Sequence, residues 1–341
     1  MKIAVVFNSP SGDVFQHRGP CAHEIYPSGN VDRIVKGLRD LGHETVKLEA
    51  DRHLVDRLAA FFGDRREDEW PGLVFNIAFG MQGQLRYCQV PAIMEMLGLP
   101  YLGSGLWGQA LASDKAAAKA LLRQHGLPTP EFAIMYSADE PDPGFDYPLV
   151  VKPLAEASSL GVRFVHNPGQ MRTAVAENLA RFQQPVMLER FVDGREFNVS
   201  IIGNGRAAHT LPPVEVRLGE GGLPIYSADD KSGTAGRKLE LLVPAPVSAR
   251  LAEQLLHLAR EAFTVLQCRD WARIEFRESS EGQLYVLEVN TQPGLGTIAS
   301  LPAAARLAGM EDLPAILEQL VEAAVVRYQQ DARYHHDQAS A

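Results

Sequence analysis

The chain has 341 residues, 46% of them hydrophobic, enough for roughly two or three packed lobes. Its 42 Asp and Glu outnumber 33 Lys and Arg, and this net charge of −9 argues against nucleic acid as a partner, which calls for a basic stripe. There is no apolar run long enough to span a membrane, no room for a signal peptide before a strand that begins at Lys2, and no disulfide or zinc spacing among Cys21, Cys88 and Cys268, so a cytoplasmic protein is expected.

Lys2–Asn8 is a Val- and Ile-rich run that reads as a buried parallel strand. Val31, Ile34, Val35, Leu38 and Leu41 recur at helical spacing, with Asn30 expected as the cap in front and Gly42 behind. A strand around Val46–Leu48, a second buried strand at Leu73–Ala78 and a helix near Val90–Leu97 ending at Gly98 complete a small parallel α/β lobe. Tyr101–Gly108 reads as a Gly-rich connection, followed by an Ala-rich helix over Ala116–His125 capped by Ser113 or Asp114. Pro148–Pro153 is another apolar strand. From Val186 strands predominate, at Val186–Phe191, Glu196–Ile202 and Ala207–Leu211, the last two joined by an Asn204-Gly205 turn. A long helix over Val247–Gln267 precedes a hairpin of Trp271–Glu278 and Leu284–Asn290, and His335-His336 fall in a polar tail expected to be disordered. The expected organisation is residues 1–108, 109–188 and 189–330 as three lobes and 331–341 as tail.

The final hairpin is the most informative segment. Side chains alternate along a strand, so Arg273 and Glu275 share one face while Ile274 and Phe276 turn to the core, and Glu288 and Asn290 likewise share a face. If the two faces pair, two carboxylates, an amide and a guanidinium converge. Adjacent carboxylates repel unless a cation lies between them, which suits oxygen-ligated Mg²⁺. An ordinary polar outer face of a half-buried hairpin is an equally available reading of this segment alone.

Three further elements carry weaker signals. The loop from Lys152 to Gly161 follows the apolar strand, and its small residues and hydroxyls would let backbone N–H groups close on phosphate, although it lacks the Gly-Lys-Ser/Thr ending of a Walker A loop. Glu189 and Arg190 stand at the end of a strand with Glu196 just beyond, either as edge charges or beside a base and ribose. Lys115 opposes the dipole in the first turn of its helix, a placement that favours a bound anion, although a solvated lysine is the commoner case.

Taken in order, these segments resemble the ATP-grasp superfamily, and most closely the D-alanine–D-alanine ligases and their relatives. The likeness rests on Leu111–Lys115, Val151-Lys152-Pro153 with Glu156–Gly161, Leu188-Glu189-Arg190, Glu196-Phe197, Ala272–Glu275 and Leu287–Gly294, and covers roughly residues 70–325. It implies an ATP-grasp fold: a parallel α/β N-terminal lobe followed by two α+β lobes enclosing ATP. It also implies an ADP-forming ligase that joins a carboxylate to an amine through an acyl phosphate. Under the resemblance, Lys115 and Lys152 contact ATP phosphates, Ser158 and Ser159 lie in the loop covering them, and Glu156 is a loop acid of open role. Glu189, Arg190 and Val192 border the adenine and Glu196 binds the ribose. Glu275, Glu288 and Asn290 would ligate two Mg²⁺ ions, with Mn²⁺ as the alternative metal, and Arg273 would stabilise the oxyanion. Lys231 matches a flexible-loop lysine reaching the transferred phosphate, and the Gly-bounded segment Leu218–Arg237 around it is expected to form a lid.

The departures fall in the substrate pockets. Phe7–Asp13 stands where the family carries H-G-G-x-S-x-E, leaving Glu24 as a substitute for the acid that holds the first substrate's ammonium. Met81–Cys88 replaces H-G-x-x-G-E-D-G, and Thr297–Ser300 replaces the Ser-His-Ser-Leu segment of the second pocket, so that Gly294 and Ser300 are expected near the substrates. The ATP machinery is retained and both amino-acid pockets are rewritten. The leading expectation is an amino-acid or peptide ligase acting on small molecules; the alternatives are a cell-wall D-alanine–D-alanine ligase and a non-catalytic nucleotide-binding regulator. Related ligases are often dimers, so a homodimer is expected by analogy.

Overall fold

A computed structural model of the protein describes residues 1–9, 12–17, 24–63, 70–220, 224–225 and 237–339, with side chains described through residue 330. Lys231 and most of the expected lid lie outside the described residues. The first layer is a parallel sheet in the order β2–β1–β3–β4, formed by β1 (Lys2–Phe7), β2 (Glu44–Glu49), β3 (Leu73–Asn76) and β4 (Tyr101–Leu102). Alternation along β1 sends Ile3 and Val5 to one core and Ala4 and Val6 to another, so both faces are covered, as a parallel sheet requires. One face receives α1 (Ser28–Asp40); the other receives α2 (Leu54–Phe62) and α3 (Gln89–Leu97), which ends on the left-handed Gly98. Asn30 lies inside α1 and not at its cap; the helix starts two residues earlier, behind Pro27.

The Tyr101–Gly108 connection contains β4 and the start of α4 (Leu106–Ser113). Asp114 then caps α5 (Lys115–Gln124), its carboxylate accepting from the backbone N–H groups of Ala116 and Ala117. The second sheet is antiparallel, in the order β5–β8–β6–β7, from β5 (Phe132–Met135), β6 (Leu149–Pro153), β7 (Arg163–Val165) and β8 (Val186–Arg190). It is backed by α6 (Pro168–Phe182). β8 runs past the division expected at 188.

The third sheet, in the order β12–β11–β9–β13–β14, is built from β9 (Arg195–Ile202), β11 (Val214–Leu218), β12 (Leu239–Leu242), β13 (Trp271–Glu278) and β14 (Leu284–Asn290). The short β10 (His209–Thr210) pairs with β9. Its core is shared with α5 and with α7 (Ala249–Val265), whose Leu251, Leu255, Ala259 and Ala262 repeat at helical spacing.

After α8 (Ser300–Leu307) the chain returns to the first layer. Ile316, Leu317, Leu320, Val321 and Ala324 of α9 (Leu313–Ala339) join Ile3, Val5, Ile34 and Leu38 in one core, so residues 189–330 are not a single packing unit. Arg327 fixes the junction, donating to both oxygens of the fully buried Asp270 at 2.9 and 2.8 Å and to the carbonyl of Tyr101 at 2.8 Å. Asp270 also accepts from Gly103 N at 2.7 Å and Asn204 Nδ2 at 2.8 Å, which ties the first sheet, the third sheet and α9 to one carboxylate. The backbone of α9 stays helical to Ala339, contrary to the disorder expected of the tail. No helix among the described residues is long and apolar enough to cross a membrane.

Candidate active site

The pairing of β13 with β14 settles the face question. Arg273 lies opposite Asn290 and Glu275 directly opposite Glu288, with a bulge after Glu275. Like charges placed face to face across a strand pair repel, by about 0.2–1 kcal/mol. Here neighbouring cations offset that repulsion. Arg273 donates to Glu275, Asn290 Nδ2 donates to the same oxygen at 2.9 Å, and Lys115 Nζ approaches Glu288 at 3.4 Å. Both carboxylates keep some exposure, 19% and 26% of their side chains, so a ligand can reach them.

These three side chains offer oxygen donors only, two carboxylates and one amide, which fits a hard divalent cation. Among the described residues no group of three or more His, Cys, Asp or Glu gathers as a metal cage. The set therefore fits a cation that completes its shell with water and phosphate oxygens, as Mg²⁺ does, and not one held by protein alone.

Two cavities meet at this point. The first, of about 100 Å³, lies between the second and third sheets. Lys152 of β6, Ser158 and Ser159 of the following loop, Glu189 and Arg190 of β8, and Val192 and Glu196 just beyond form one side. Lys115, Glu156, Glu275, Glu288 and Asn290 complete it. The second cavity, of about 320 Å³, opens toward the first sheet and contains Arg273, Gly294 and Ser300. Lys115, Glu156, Ser158, Glu288 and Asn290 line both, so they form the wall between the two.

The first cavity is rich in compensated charge. Glu189 is buried between Lys119 Nζ at 2.6 Å and Lys152 Nζ at 2.7 Å. Burial pushes its carboxyl up, but the two ammonium groups outweigh burial and hold it down at about 2. Burial lowers the Lys119 ammonium to about 8, against the pull of Glu189. Lys119 also donates to Thr129 Oγ1 at 2.6 Å. Lys115 tolerates its place at the head of α5 because its ammonium donates to the carbonyl of Glu156 as well as facing Glu288. In the covering loop, Ser158 and Ser159 both take left-handed backbone (φ 56° and 59°), a costly conformation for residues with a Cβ. Gly161 (φ +73°) closes the loop against Asn178, Phe182 and Pro153, where a Cβ would come within 2.4–2.7 Å of all three.

Glu24 is a correction. It does not line the second cavity: its side chain is 1% exposed, Oε2 takes Arg86 Nη2 at 2.6 Å, and Oε1 accepts from the backbone of Ala157. In this arrangement its carboxylate is taken up by Arg86 and the loop amide. Arg86, with no exposed side-chain surface, also meets Glu156 Oε2 at 3.2 Å, and Gln184 Nε2 donates to Glu156 Oε1 at 2.8 Å. This buried cluster joins the first layer to the covering loop.

Sequence reasoning missed Lys119, Arg86, Tyr87 and Arg277. Lys119 follows Lys115 by four residues on one helix face, a signal that was available. Arg277 continues the alternation of Arg273 and Glu275; it lines the first cavity, stacks over Phe191 at 4.8 Å and faces Glu196 at 3.9 Å. Nothing in the sequence marks Arg86 as buried.

Comparison with known proteins shows the family and the fold. A family model described as D-ala D-ala ligase C-terminus matches residues 121–322. The chain is 36% identical over 332 residues to the uncharacterised protein y4sG of Sinorhizobium fredii, covering 96% of this chain and 98% of that one. It is 34% identical over 299 residues to a D-alanine–D-alanine ligase of Cupriavidus metallidurans, covering 87% and 86% respectively. The crystal structure of a Bacillus anthracis D-alanine–D-alanine ligase complexed with ATP superimposes with a TM-score of 0.73 at 20% identity, over 97% of this chain and 99% of that one, which establishes a shared fold. With nearly its whole length matched in both sequence and fold, the chain belongs to the D-alanine–D-alanine ligase family of ATP-grasp proteins, ADP-forming enzymes that join a carboxylate to an amine.

Proposed function

We propose that the protein binds ATP and Mg²⁺ in the smaller cavity, activates a carboxylate in the larger one as its acyl phosphate, and transfers that acyl group to an amine. The observation that carries this reading is the shared wall: Lys115, Glu288 and Asn290 face both cavities, so a phosphoryl group held on one side is presented to a carboxylate on the other. Direct condensation of carboxylate and amine is blocked by a poor leaving group. Phosphorylation replaces that group with phosphate.

Lys115 and Lys152 neutralise charge on the transferring phosphoryl group, and the left-handed Ser158-Ser159 turn supplies amides from above. Glu189, Arg190 and Val192 border the base and Glu196 takes the ribose hydroxyls, its charge balanced by Arg277. Glu275, Glu288 and Asn290 would hold Mg²⁺, which spreads the negative charge that develops on phosphate. Arg273, on the wall of the larger cavity, faces the carbonyl oxygen as the amine attacks. Closure of the covering loop keeps water from the acyl phosphate.

The test is ADP release with ATP, Mg²⁺ and pools of acids and amines, followed by product mass. Turnover with D-alanine alone would assign the D-alanine–D-alanine ligase reaction for which the Cupriavidus and Bacillus proteins are named. The absence of amine- or acid-stimulated ADP release would point instead to a nucleotide-binding regulator and refute the proposal.

A further inference from the structure

The short turn Arg86–Cys88 ahead of α3 brings a phenol to the wall between the two cavities. The turn packs on Gly80 (φ +81°), where a Cβ would collide with the carbonyl of Arg86. Gln89 ties it to the preceding loop, accepting from Met81 N at 2.9 Å and donating to the carbonyl of Gln82 at 2.7 Å. Tyr87 thereby lines the larger cavity together with Lys115, Glu156 and Glu288. Its ring lies 5.5 Å from that of Phe79 and carries the Arg86 guanidinium at 5.6 Å from its centre. Arg86 is itself pinned by Glu24 and Glu156, so the ring is held by a partner that is already fixed.

Packing accounts for the ring but not for the hydroxyl. Tyr87 is partly exposed, and among the described residues its hydroxyl makes no hydrogen bond. A phenol is neutral at ordinary pH, and burial, with the fields of Glu24, Glu288 and Glu156, pushes this one well above its usual value. It is therefore a donor, and an anionic oxygen is the acceptor from which a donor gains most. Resting on the ligase reading above, we infer that Tyr87 is a catalytic residue whose hydroxyl donates to an oxygen of the phosphoryl group as that group passes from ATP to the acid. The acid's carboxylate oxygen attacks the γ-phosphorus, the bond to the β–γ bridging oxygen breaks and its electron pair leaves with ADP; Tyr87 keeps its proton throughout. Lys152 lines only the smaller cavity and Lys115 lines both, whereas Tyr87 lines only the larger one, so the phosphoryl group meets a donor on the acid's side as well.

ADP with Mg²⁺ and aluminium fluoride tests this without knowledge of either substrate, because the fluoride group stands in for the phosphoryl group in transit. Tyr87→Phe deletes the hydroxyl and keeps the ring on Phe79 and Arg86. ADP with Mg²⁺ alone should bind wild type and variant equally, and the aluminium fluoride complex should bind the variant about tenfold or more weakly. With the pool of acids and amines, kcat for ADP release should fall by a similar factor while KM for ATP holds. Equal affinity of the two proteins for the fluoride complex overturns the proposal, as does fluoride that adds no affinity in wild type. A matching loss of ADP affinity or of unfolding temperature also overturns it, since Tyr87 would then be a packing residue. Each of these results leaves the ligase standing so long as wild type releases ADP in response to acid and amine. Wild type that binds no nucleotide, or releases no ADP with any pool, overturns the ligase reading and this proposal together.

Discussion

Glu288→Gln separates the cost of a residue to folding from its value to catalysis. In the absence of metal, Glu288 faces Glu275 directly across the strand pair, a repulsion of about 0.2–1 kcal/mol, and Gln removes it. The same change removes the attraction of Lys115, 3.4 Å away, from a carboxylate that is 26% exposed and therefore screened, again about 1 kcal/mol at most. The two nearly cancel, so thermal unfolding without ligand should shift by no more than about 2–4 °C in either direction. With nucleotide and Mg²⁺ the proposed cation site changes the balance, because an amide would replace one of its two charged ligands. Loss of one contact that stabilises developing charge costs roughly 3–4 kcal/mol, or about 10²–10³-fold in turnover. ADP release measured beside unfolding, with and without Mg²⁺ and ATP, gives both quantities, and the wild-type rise in unfolding temperature with Mg²⁺ and ATP should shrink in the variant. Turnover within about threefold of wild type, or a ligand-free loss of several kcal/mol, would refute the assignment of Glu288 to a cation.

Other perturbations probe the surrounding supports. Lys119→Met leaves buried Glu189 with one ammonium partner and should destabilise the protein by about 3 kcal/mol in denaturant unfolding; a loss below about 1 kcal/mol would mean that Lys152 suffices. Because Glu189 is held below the ordinary carboxyl range, its stabilisation is complete above that range and drains away as pH falls toward about 2; Glu189→Gln should flatten that stretch of the acid-unfolding curve, and an unaltered slope would contradict the pairing. Gly161→Ala forces a Cβ onto left-handed backbone and into Asn178 and Phe182, so stability should fall by about 1–3 kcal/mol, and full wild-type stability would show that the loop relaxes freely. Asp270→Ala leaves Arg327 and the amide of Gly103 buried without their acceptor, a loss of about 3–5 kcal/mol by equilibrium unfolding that an effect under about 1 kcal/mol would exclude.

What could be read from the sequence follows from how local each determinant is. The hairpin of β13 and β14 has the expected limits; strand alternation put Arg273 with Glu275 and Glu288 with Asn290, and the strand register then brings the two pairs together. Asp114 before an Ala-rich run was legible as a cap for the same reason. Glu24 was misplaced because its surroundings come from residues 62 and 133 positions away, Arg86 and Ala157, which no local pattern announces. The grip of Lys119 and Lys152 on Glu189 was hidden, because the three residues come from a helix and two strands far apart in the chain. The return of α9 to the first layer was hidden, since an amphipathic helix does not declare which sheet it will cover.

That return has a bearing on how the protein is made. The first sheet leaves the ribosome long before the apolar stripe that seals one of its faces, Ile316 through Ala324. Until then Ile3, Val5 and Leu38 lack part of their cover, and the nascent chain carries a sticky surface while the intervening residues are made. Truncations that remove α9 should therefore be felt in the first sheet, as aggregation of a lobe whose own residues are all present.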